Sequence, residues 1–392
     1  MKKAVQFGAG NIGRGFLADL YTSSGYRVIF VEVVEEIVRE INERGGYILE
    51  IAIRPPSRKE IKGISAVNAR DKEGTLKEIW DGDIFSTSVG KRNLPSVAEY
   101  MAEVVKKRFR GGKEEPFNLI LAENISRGEE TMREYIYSHL NKEERRFADK
   151  SLGIVESVIA RMVPVVEREI KEKDPLYIRV EEYRLLPVDK RAFRGEIPSI
   201  EGMVPVEDIK ALEARKLYMH NLPHSVIAYL GYLRGYRFIH ESVQDEWILS
   251  IVKEIWEECE KGLVNEYGFH LLPLREHRED LLRRFGNPLL RDSVTRVSRD
   301  PLRKLSPEER LIGGARFIQR HGGSLRSISK GIASALLYDY PEDSEAIKLQ
   351  KNIREKGIEW VLHNLLGINP REPLGEKVIK DYHELSAIKL TS

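Results

Sequence analysis

The sequence predicts an α/β fold, in which an N-terminal Rossmann-like, doubly wound sheet is followed by a mainly α-helical C-terminal domain. Three observations support this prediction: strand and helix patterns alternate in the first half, a glycine-rich turn separates the first strand from the first helix, and the strand signal fades after about residue 190. The 392 residues fit two domains of roughly 100 to 200 residues each. We therefore predict one domain over 1–190 and a second over 191–392.

The first half of the chain is assigned element by element from its apolar pattern. The opening part reads as a strand at 3–7, a helix at 12–24 ended by Gly25, a strand at 27–31 and a helix from 34 to about 45. Further strands are expected at 47–53, 83–88, 118–122 and 177–186, and further helices at 94–107 and 127–140. Strands that alternate with helices predict parallel pairing, as in a doubly wound sheet.

Long amphipathic stretches dominate the second half. The clearest are 243–263 and 347–366, where apolar residues recur at helical spacing. The second domain is therefore predicted to be mainly helical.

The composition excludes several classes of partner. The 64 basic and 62 acidic side chains nearly cancel, and no run of roughly 18 apolar residues occurs. We expect no nucleic-acid partner and no membrane partner. A single cysteine, Cys259, and nine scattered histidines predict a cytoplasmic protein without disulfides and without a metal site.

A glycine-rich turn carries the first functional signal. Gly8, Gly10 and Gly13 form G-x-G-x-x-G between the first strand and helix, and Glu32 ends the next strand. This pattern suits a dinucleotide: the glycines allow a tight turn and close approach of the pyrophosphate, while the acid accepts hydrogen bonds from the ribose. A carboxylate there disfavours a 2′-phosphate, so the sequence predicts NAD rather than NADP. An ordinary structural turn is the alternative.

Other residues near this turn are expected to contact the same cofactor. Asn11 and Ile12 lie between the second and third glycines, where the helix begins. Ser88 and Val89 follow the strand predicted at 83–88, where the carboxyl ends of a parallel sheet meet a ligand. A plain strand-ending turn is the alternative for the second pair.

The second signal is a short polar segment at the start of the second domain. It contains Lys216, Asn221 and His224, which share one face of a helix, while Pro223 is expected to interrupt that helix. A lysine with a lowered pKa could serve as a base toward an alcohol, and a carboxamide could stabilise negative charge on oxygen. The alternative is a surface lysine, a capping asparagine and a core histidine.

Both signals together resemble a known family. The stretch from Val5 to Phe16, and the spacing of four residues between Lys216 and Asn221 and two between Asn221 and His224, are similar to the polyol-specific long-chain dehydrogenases, also called the mannitol dehydrogenase family. The resemblance spans most of the chain. The length of the chain suits the branch of the family that acts on sugar phosphates.

The resemblance implies a metal-independent hydride transfer that uses NAD. It makes Lys216 the general acid/base and has Asn221 and His224 assist at the substrate oxygen. Glu123 follows the strand predicted at 118–122 and could relay protons to Lys216, although an exposed carboxylate is the alternative. The implied reaction interconverts D-mannitol 1-phosphate and D-fructose 6-phosphate.

The resemblance also implies a site for the substrate phosphate. Arg296 and Lys304, eight positions apart in a basic segment, match the family's substrate-contacting cations. A solvated basic helix end is the alternative reading of these two residues. The substrate could instead be another polyol phosphate or a hexuronate, and a non-catalytic NAD sensor is the competing hypothesis from another class. A monomer or small homo-oligomer is expected.

Overall fold

The computed structural model describes residues 1–123, 125 and 127–389. It divides into two compact units, Met1–Leu212 and Glu213–Ser392. The N-terminal unit therefore continues past residue 190, where the sequence placed the boundary. The continuation is held by β-structure, because the strands Leu186–Asp189 and Met203–Val206 pair in parallel and Val188 bridges to Ser157.

The N-terminal unit contains the strands. In chain order they are β1 Lys3–Phe7, β2 Arg27–Glu32, β3 Gly46–Ile51, β4 Ser57–Lys62, β5 Ile64–Asn68, β6 Ile84–Thr87, β7 Phe117–Leu121, β8 Leu152–Glu156, β9 Ile178–Val180, β10 Leu186–Asp189 and β11 Met203–Val206. Six of them form one parallel sheet in the order β5-β2-β1-β6-β7-β8. Counted along the chain, this is the 3-2-1-4-5-6 order of a doubly wound fold.

This sheet is apolar on both faces. Alternate residues of β1 enter different clusters: Ala4 packs with Phe16 and Phe30 on one side, and Val5 packs with Phe85 and Val97 on the other. Burial on both faces explains why the sequences of these strands are short, continuous apolar runs. It also leaves the carboxyl ends of the strands, where the loops lie, as the place for function.

Helices cover the sheet and make up the second unit. Those that begin in the first unit are α1 Ala18–Ser23, α2 Glu35–Arg44, α3 Lys72–Ile79, α4 Leu94–Arg110, α5 Gly128–Ser138, α6 Lys142–Ser151, α7 Arg168–Lys173 and α8 Ile209–Arg215. Those that follow are α9 Leu222–Leu233, α10 Ile239–Ser242, α11 Glu246–Tyr267, α12 Leu271–Phe285, α13 Val294–Ser298, α14 Pro301–Lys304, α15 Ile312–Arg320, α16 Arg326–Leu336, α17 Ser344–Lys356, α18 Ile358–Asn364 and α19 Pro373–Lys389. The predicted α/β class and helical second domain are confirmed.

Some elements differ from the sequence-based prediction. Strands β5 and β8 were not predicted, and each takes its register from a neighbour in the sheet. The strand expected at 177–186 is instead two short strands, β9 and β10, in different sheets. The long helix expected at 347–366 ends at Gly357, whose φ of 84° leaves the helical region. No helix in the described residues is long and apolar enough to cross a membrane.

Candidate functional site

The glycine turn between β1 and α1 is shaped by close backbone contacts. Gly8 has a φ of 89°, and a Cβ there would lie 3.0 Å from the carbonyl oxygen of Ser88. A Cβ on Gly13 would lie 2.1 Å from the Gly8 oxygen, so only glycine allows the helix to begin this close to the strand. A Cβ on Gly10 would meet no heavy atom within 4 Å. Gly10 therefore faces open space, where a pyrophosphate could approach the main chain.

Glu32 holds this turn against the end of β2. Its Oε2 accepts a hydrogen bond from the Ala9 amide at 2.7 Å, and its Oε1 accepts from the Val33 and Val34 amides at 2.7 and 3.0 Å. The carboxylate is thus fixed beside the turn by main-chain donors. A carboxylate oxygen can accept more than one hydrogen bond, so Glu32 can also receive a ribose hydroxyl.

The first helix presents its N-terminus to the same turn. Asn11 and Ile12 open the helix, and the Asn11 Nδ2 donates to the carbonyl of Val163 at 3.3 Å. The helix continues through a π-helical segment, Gly13–Leu17, before α1. Free amides at this end of a helix form an anion-binding site.

Arg14 is a residue that sequence reasoning missed at this site. It is buried beneath the turn, and its Nε donates to the Ala9 carbonyl at 2.6 Å while Nη1 donates to the Pro175 carbonyl at 3.1 Å. Burial lowers its pKa from the ordinary arginine value, although Glu32 opposes this effect. Its position directly after the third glycine was the available signal.

The loop after β6 forms another part of the candidate cofactor site in the N-terminal unit. Ser88 receives a hydrogen bond from the Gln6 Nε2 at 2.9 Å. Glu123, just after β7, accepts from the Val89 amide at 2.7 Å, from the Gly90 amide at 3.0 Å and from the Thr87 hydroxyl at 3.2 Å. Burial raises the pKa of Glu123, while these donors act to lower it. The structure therefore places all the sequence-predicted cofactor residues, and Glu123, at this edge of the sheet.

Together these features fit a dinucleotide. The open face of Gly10, the helix N-terminus and the fixed Glu32 carboxylate are the parts that pyrophosphate and ribose require. The described residues contain no group of three His, Cys, Asp or Glu side chains arranged to hold a metal ion.

In the C-terminal unit, Lys216 and Asn221 lie in a π-helical segment, Lys216–Asn221, which joins α8 to α9. The Leu222 amide donates to the Leu217 carbonyl, five residues back, so the chain stays helical where a break was expected. Pro223 lies in the first turn of α9, as predicted. Because the hydrogen bonds of this wider helix join residues five apart, Lys216 and Asn221 lie about one turn from each other. The Asn221 carboxamide has no hydrogen-bond partner within the described part of the chain.

Lys216 is half-buried, and its pKa is lowered to about 8. Burial is the main cause, because it disfavours the charged ammonium, and the nearby guanidinium of Arg310 adds to it. Glu213 and Glu309 act in the opposite direction. The lysine can therefore exchange a proton near neutral pH, which an ordinary surface lysine cannot do.

His224 belongs to a buried charged cluster. Its ring stacks on Phe285 with centroids 4.5 Å apart, and its Nε2 lies 3.2 Å from the Oδ2 of Asp292. Asp292 also receives both Nε and Nη2 of Arg296, at 2.5 and 2.7 Å. Burial lowers the pKa of His224, and Asp292 partly opposes this effect. Asp292 was not recognised in the sequence, where it is one of many acidic residues.

A second cationic group lies around Lys304. Its side chain is buried, and its ammonium has no hydrogen bond or ion pair within the described residues. Burial lowers its pKa well below the ordinary value, and Arg310 and Arg303 lower it further. Arg303 contacts two carboxylates, Glu309 at 3.0 Å and Asp300 at 3.9 Å, and Arg310 contacts Glu309 at 3.2 Å. The cluster thus contains three basic side chains and two carboxylates, and Lys304 is the basic group without a carboxylate contact among the described residues.

Arg310 links these two groups. It acts electrostatically on three of the sequence-predicted residues of the C-terminal unit, Lys216, His224 and Lys304. Arg296 acts on both His224 and Lys304. Sequence reasoning missed Arg310 because it lies outside the basic segment that ends at Lys304.

Comparisons with known proteins agree with this architecture. The sequence model of the mannitol dehydrogenase Rossmann domain matches residues 2–202, and that of the mannitol dehydrogenase C-terminal domain matches residues 208–369. The chain is 35% identical over 385 residues to a mannitol-1-phosphate 5-dehydrogenase of Thermoanaerobacter pseudethanolicus, which covers 98% of each chain. It is 36% identical to the protein of that name from Caldanaerobacter subterraneus, covering 98% of this chain and 99% of the relative.

A solved structure shares the fold. The mannitol 2-dehydrogenase of Pseudomonas fluorescens, solved as a ternary complex with NAD and D-mannitol, superposes with a TM-score of 0.80 at 14% identity and covers all of this chain and 94% of its own. Because two domain models match consecutively and relatives align over nearly the full length, the chain belongs to the mannitol dehydrogenase family.

Proposed function

We propose that the protein is a cytoplasmic NAD-dependent oxidoreductase that interconverts D-mannitol 1-phosphate and D-fructose 6-phosphate. The main observation behind this proposal is the lowered pKa of Lys216, about 8. Lys216 lies in the π-helical segment that also contains Asn221. Relatives named mannitol-1-phosphate 5-dehydrogenase align over nearly the whole chain and support the choice of substrate.

Lys216 acts as the general acid/base. In oxidation, the neutral Nζ takes the proton of the substrate hydroxyl while the hydrogen on the same carbon leaves as hydride, so a ketone forms. In reduction, the ammonium returns that proton to the oxygen as hydride arrives. Asn221 donates a hydrogen bond to this oxygen, and His224 assists, which stabilises the negative charge that develops there.

The N-terminal unit binds NAD. Gly8, Gly10 and Gly13, together with the amides of Asn11 and Ile12, hold the pyrophosphate, and Glu32 receives the ribose hydroxyls. Ser88 and Val89 line the cofactor site after β6. When bound, NAD supplies the carbon that accepts the hydride. Glu123 remains a candidate proton relay, although the three hydrogen bonds that it accepts already support a role in shaping this loop.

The substrate phosphate is held by cations of the C-terminal unit. Lys304 is buried without a carboxylate partner among the described residues, so a phosphate would supply its missing counter-charge. Arg296 is already paired with Asp292, which leaves it one edge of its guanidinium for the substrate. These basic side chains support a phosphorylated substrate over a free polyol.

The test is oxidation of NADH by purified protein with fructose 6-phosphate, beside free fructose and a hexuronate. Loss of NADH only with the phosphate ester is the expected result. Turnover of the hexuronate or free sugar at a similar kcat/KM would contradict the phosphate assignment while keeping the enzyme class. A protein that binds NADH but reduces none of the three, nor other sugar phosphates, would instead fit an NAD sensor.

A further inference from the structure

Ala9 lies between the first two glycines of the turn, and side chains hold it at both of its backbone groups. The Ala9 amide donates to the Oε2 of Glu32 at 2.7 Å, and the Ala9 carbonyl accepts from the Nε of Arg14 at 2.6 Å. Ala9 is buried, whereas Gly10 is exposed. The two hydrogen bonds therefore fix the orientation of the backbone at the point where it reaches the surface.

The direction of the Ala9 carbonyl determines the direction of the next amide. The C=O and N–H groups of a trans peptide point in opposite directions, and the cis bond among the described residues lies elsewhere, between Arg54 and Pro55. Because the Ala9 carbonyl points at the buried Arg14 side chain, the Gly10 amide points away from it. Within the described part of the chain, this amide donates to no acceptor. It is therefore available to a ligand on the exposed side of the turn.

Arg14 is itself fixed from several sides. Its Nη1 donates to the Pro175 carbonyl at 3.1 Å, in the segment before β9, and its own carbonyl accepts from the Tyr47 hydroxyl at 2.6 Å. Its backbone amide donates to the Gly10 carbonyl at 3.0 Å. A guanidinium carries several donors in a fixed planar arrangement, so one side chain can hold two carbonyls at once. Arg14 thus joins the turn to the segment before β9 from the buried side.

We infer that Arg14 is a positioning residue for the cofactor: by holding the Ala9 carbonyl, it directs the Gly10 amide at the pyrophosphate. The inference rests on the proposed function, and it adds to the glycines a side chain that acts through the main chain. Arg14 is not itself a ligand of the pyrophosphate. Because the peptide is oriented before the cofactor arrives, binding does not have to order the turn.

Arg14→Gln tests this role by measuring binding. Glutamine is shorter and neutral, so the Ala9 carbonyl loses its charged donor. We expect the dissociation constants of NADH and ADP to rise about 10-fold, the size of a lost hydrogen bond to a charged group, while that of adenosine, which has no pyrophosphate, stays within about twofold. At saturating NADH, kcat with fructose 6-phosphate should be unchanged, so the effect appears in the KM for NADH. NADH fluorescence, with ADP and adenosine as competitors, gives the three constants.

Arg108 provides a matched control in the same unit. It is also a buried arginine that holds two carbonyls, with Nε donating to Trp80 at 3.0 Å and Nη2 to Gly82 at 2.5 Å. These carbonyls precede β6, at the edge of the sheet opposite to the glycine turn. Arg108→Gln should lower the Tm comparably and leave the three dissociation constants near their wild-type values. An equal rise for ADP in both variants, or a rise for adenosine as large as that for ADP, would overturn the inference.

Arg14→Lys decides the question if the glutamine variant does not fold. Lysine keeps the positive charge but has a methylene group where arginine has Nε, so it loses the bond to the Ala9 carbonyl. The dissociation constant of ADP should again rise by about 10-fold, with that of adenosine unchanged. Wild-type affinity for ADP in a folded Arg14→Lys protein would overturn the inference.

These binding measurements need no sugar substrate. A wild-type protein that binds NADH and ADP but does not reduce fructose 6-phosphate would defeat the proposed reaction and still leave Arg14 tested. A wild-type protein that binds neither nucleotide would overturn the proposed function and, with it, the role of Arg14.

Discussion

The two units of the molecule build their candidate sites in different ways. In the N-terminal unit the partners are mainly main-chain atoms: Glu32 and Glu123 each accept hydrogen bonds from backbone amides, and Gly13 allows backbone to touch backbone. In the C-terminal unit the partners are charged side chains, such as Asp292 with Arg296, and the amino group of Lys304 is buried nearby in the chain.

The two kinds of site should respond to different substitutions. A site made of main chain depends on space, because an added methyl group displaces the backbone or the ligand. A site made of buried charges depends on electrostatics, because removing one charge leaves the others uncompensated. The following experiments test this contrast.

Lys216→Met should give the largest loss of activity. Removal of the general acid/base should lower kcat by about 10²- to 10⁴-fold, measured as NADH oxidation with fructose 6-phosphate. The same variant should be more stable by up to about 3 kcal/mol near neutral pH, because the lysine pKa falls from 10.5 to about 8 on folding. Exposed Lys261, paired with Glu258, gives the control Lys261→Met. Full turnover by Lys216→Met would contradict the mechanism.

Lys304→Ala should weaken recognition of the phosphate. A hydrogen bond to a charged group contributes about 1.5 to 3 kcal/mol, so the KM for fructose 6-phosphate should rise about 10- to 100-fold while the KM for NADH stays constant. Lys348→Ala, at an exposed ion pair with Glu345, serves as the control. An equal rise in both KM values would mean that Lys304 supports the fold rather than the substrate.

Two glycine variants test the N-terminal site. Gly13→Ala places a Cβ 2.1 Å from a backbone oxygen, so the turn must move and stability should fall by about 1 to 3 kcal/mol. Gly10→Ala meets no atom within 4 Å, so the protein should fold normally but bind NADH more weakly. Thermal unfolding and NADH titration separate the two effects. Normal NADH binding by Gly10→Ala would place the pyrophosphate elsewhere.

The pH dependence should follow Lys216. Oxidation needs the neutral amine, so below about pH 8 its kcat/KM should fall about tenfold per pH unit; reduction needs the ammonium and should fall as pH rises above 8. Arg310→Gln removes a charge that lowers this pKa, so both profiles should shift to higher pH. A shift to lower pH would show that Arg310 does not act on Lys216 in this way.

Glu123→Gln should have the smallest effect if Glu123 shapes the loop after β6. Glutamine keeps an acceptor for one backbone amide and loses the other, which costs about 1 kcal/mol and raises the KM for NADH roughly fivefold. A proton relay predicts a different result, since kcat would fall with KM unchanged. Steady-state kinetics at several NADH concentrations distinguishes them.

The sequence alone determined the parts that depend on local spacing. Strand β1, the three glycines and Glu32 lie within one short stretch, so their pattern can be recognised from the sequence without knowledge of the fold. The same holds for Lys216, Asn221 and His224, which occupy two turns of one helix.

Tertiary structure decided the rest. Strands β5 and β8 take their place from neighbours in the sheet, and Asp292 meets His224 only because the segment before α13 is held against Phe238 and Ile239. The lowered pKa of Lys216 likewise comes from burial and from Arg310, far along the chain. Local spacing depends only on consecutive residues. The burial of a group and the charges around it depend on residues that come together only when the chain folds.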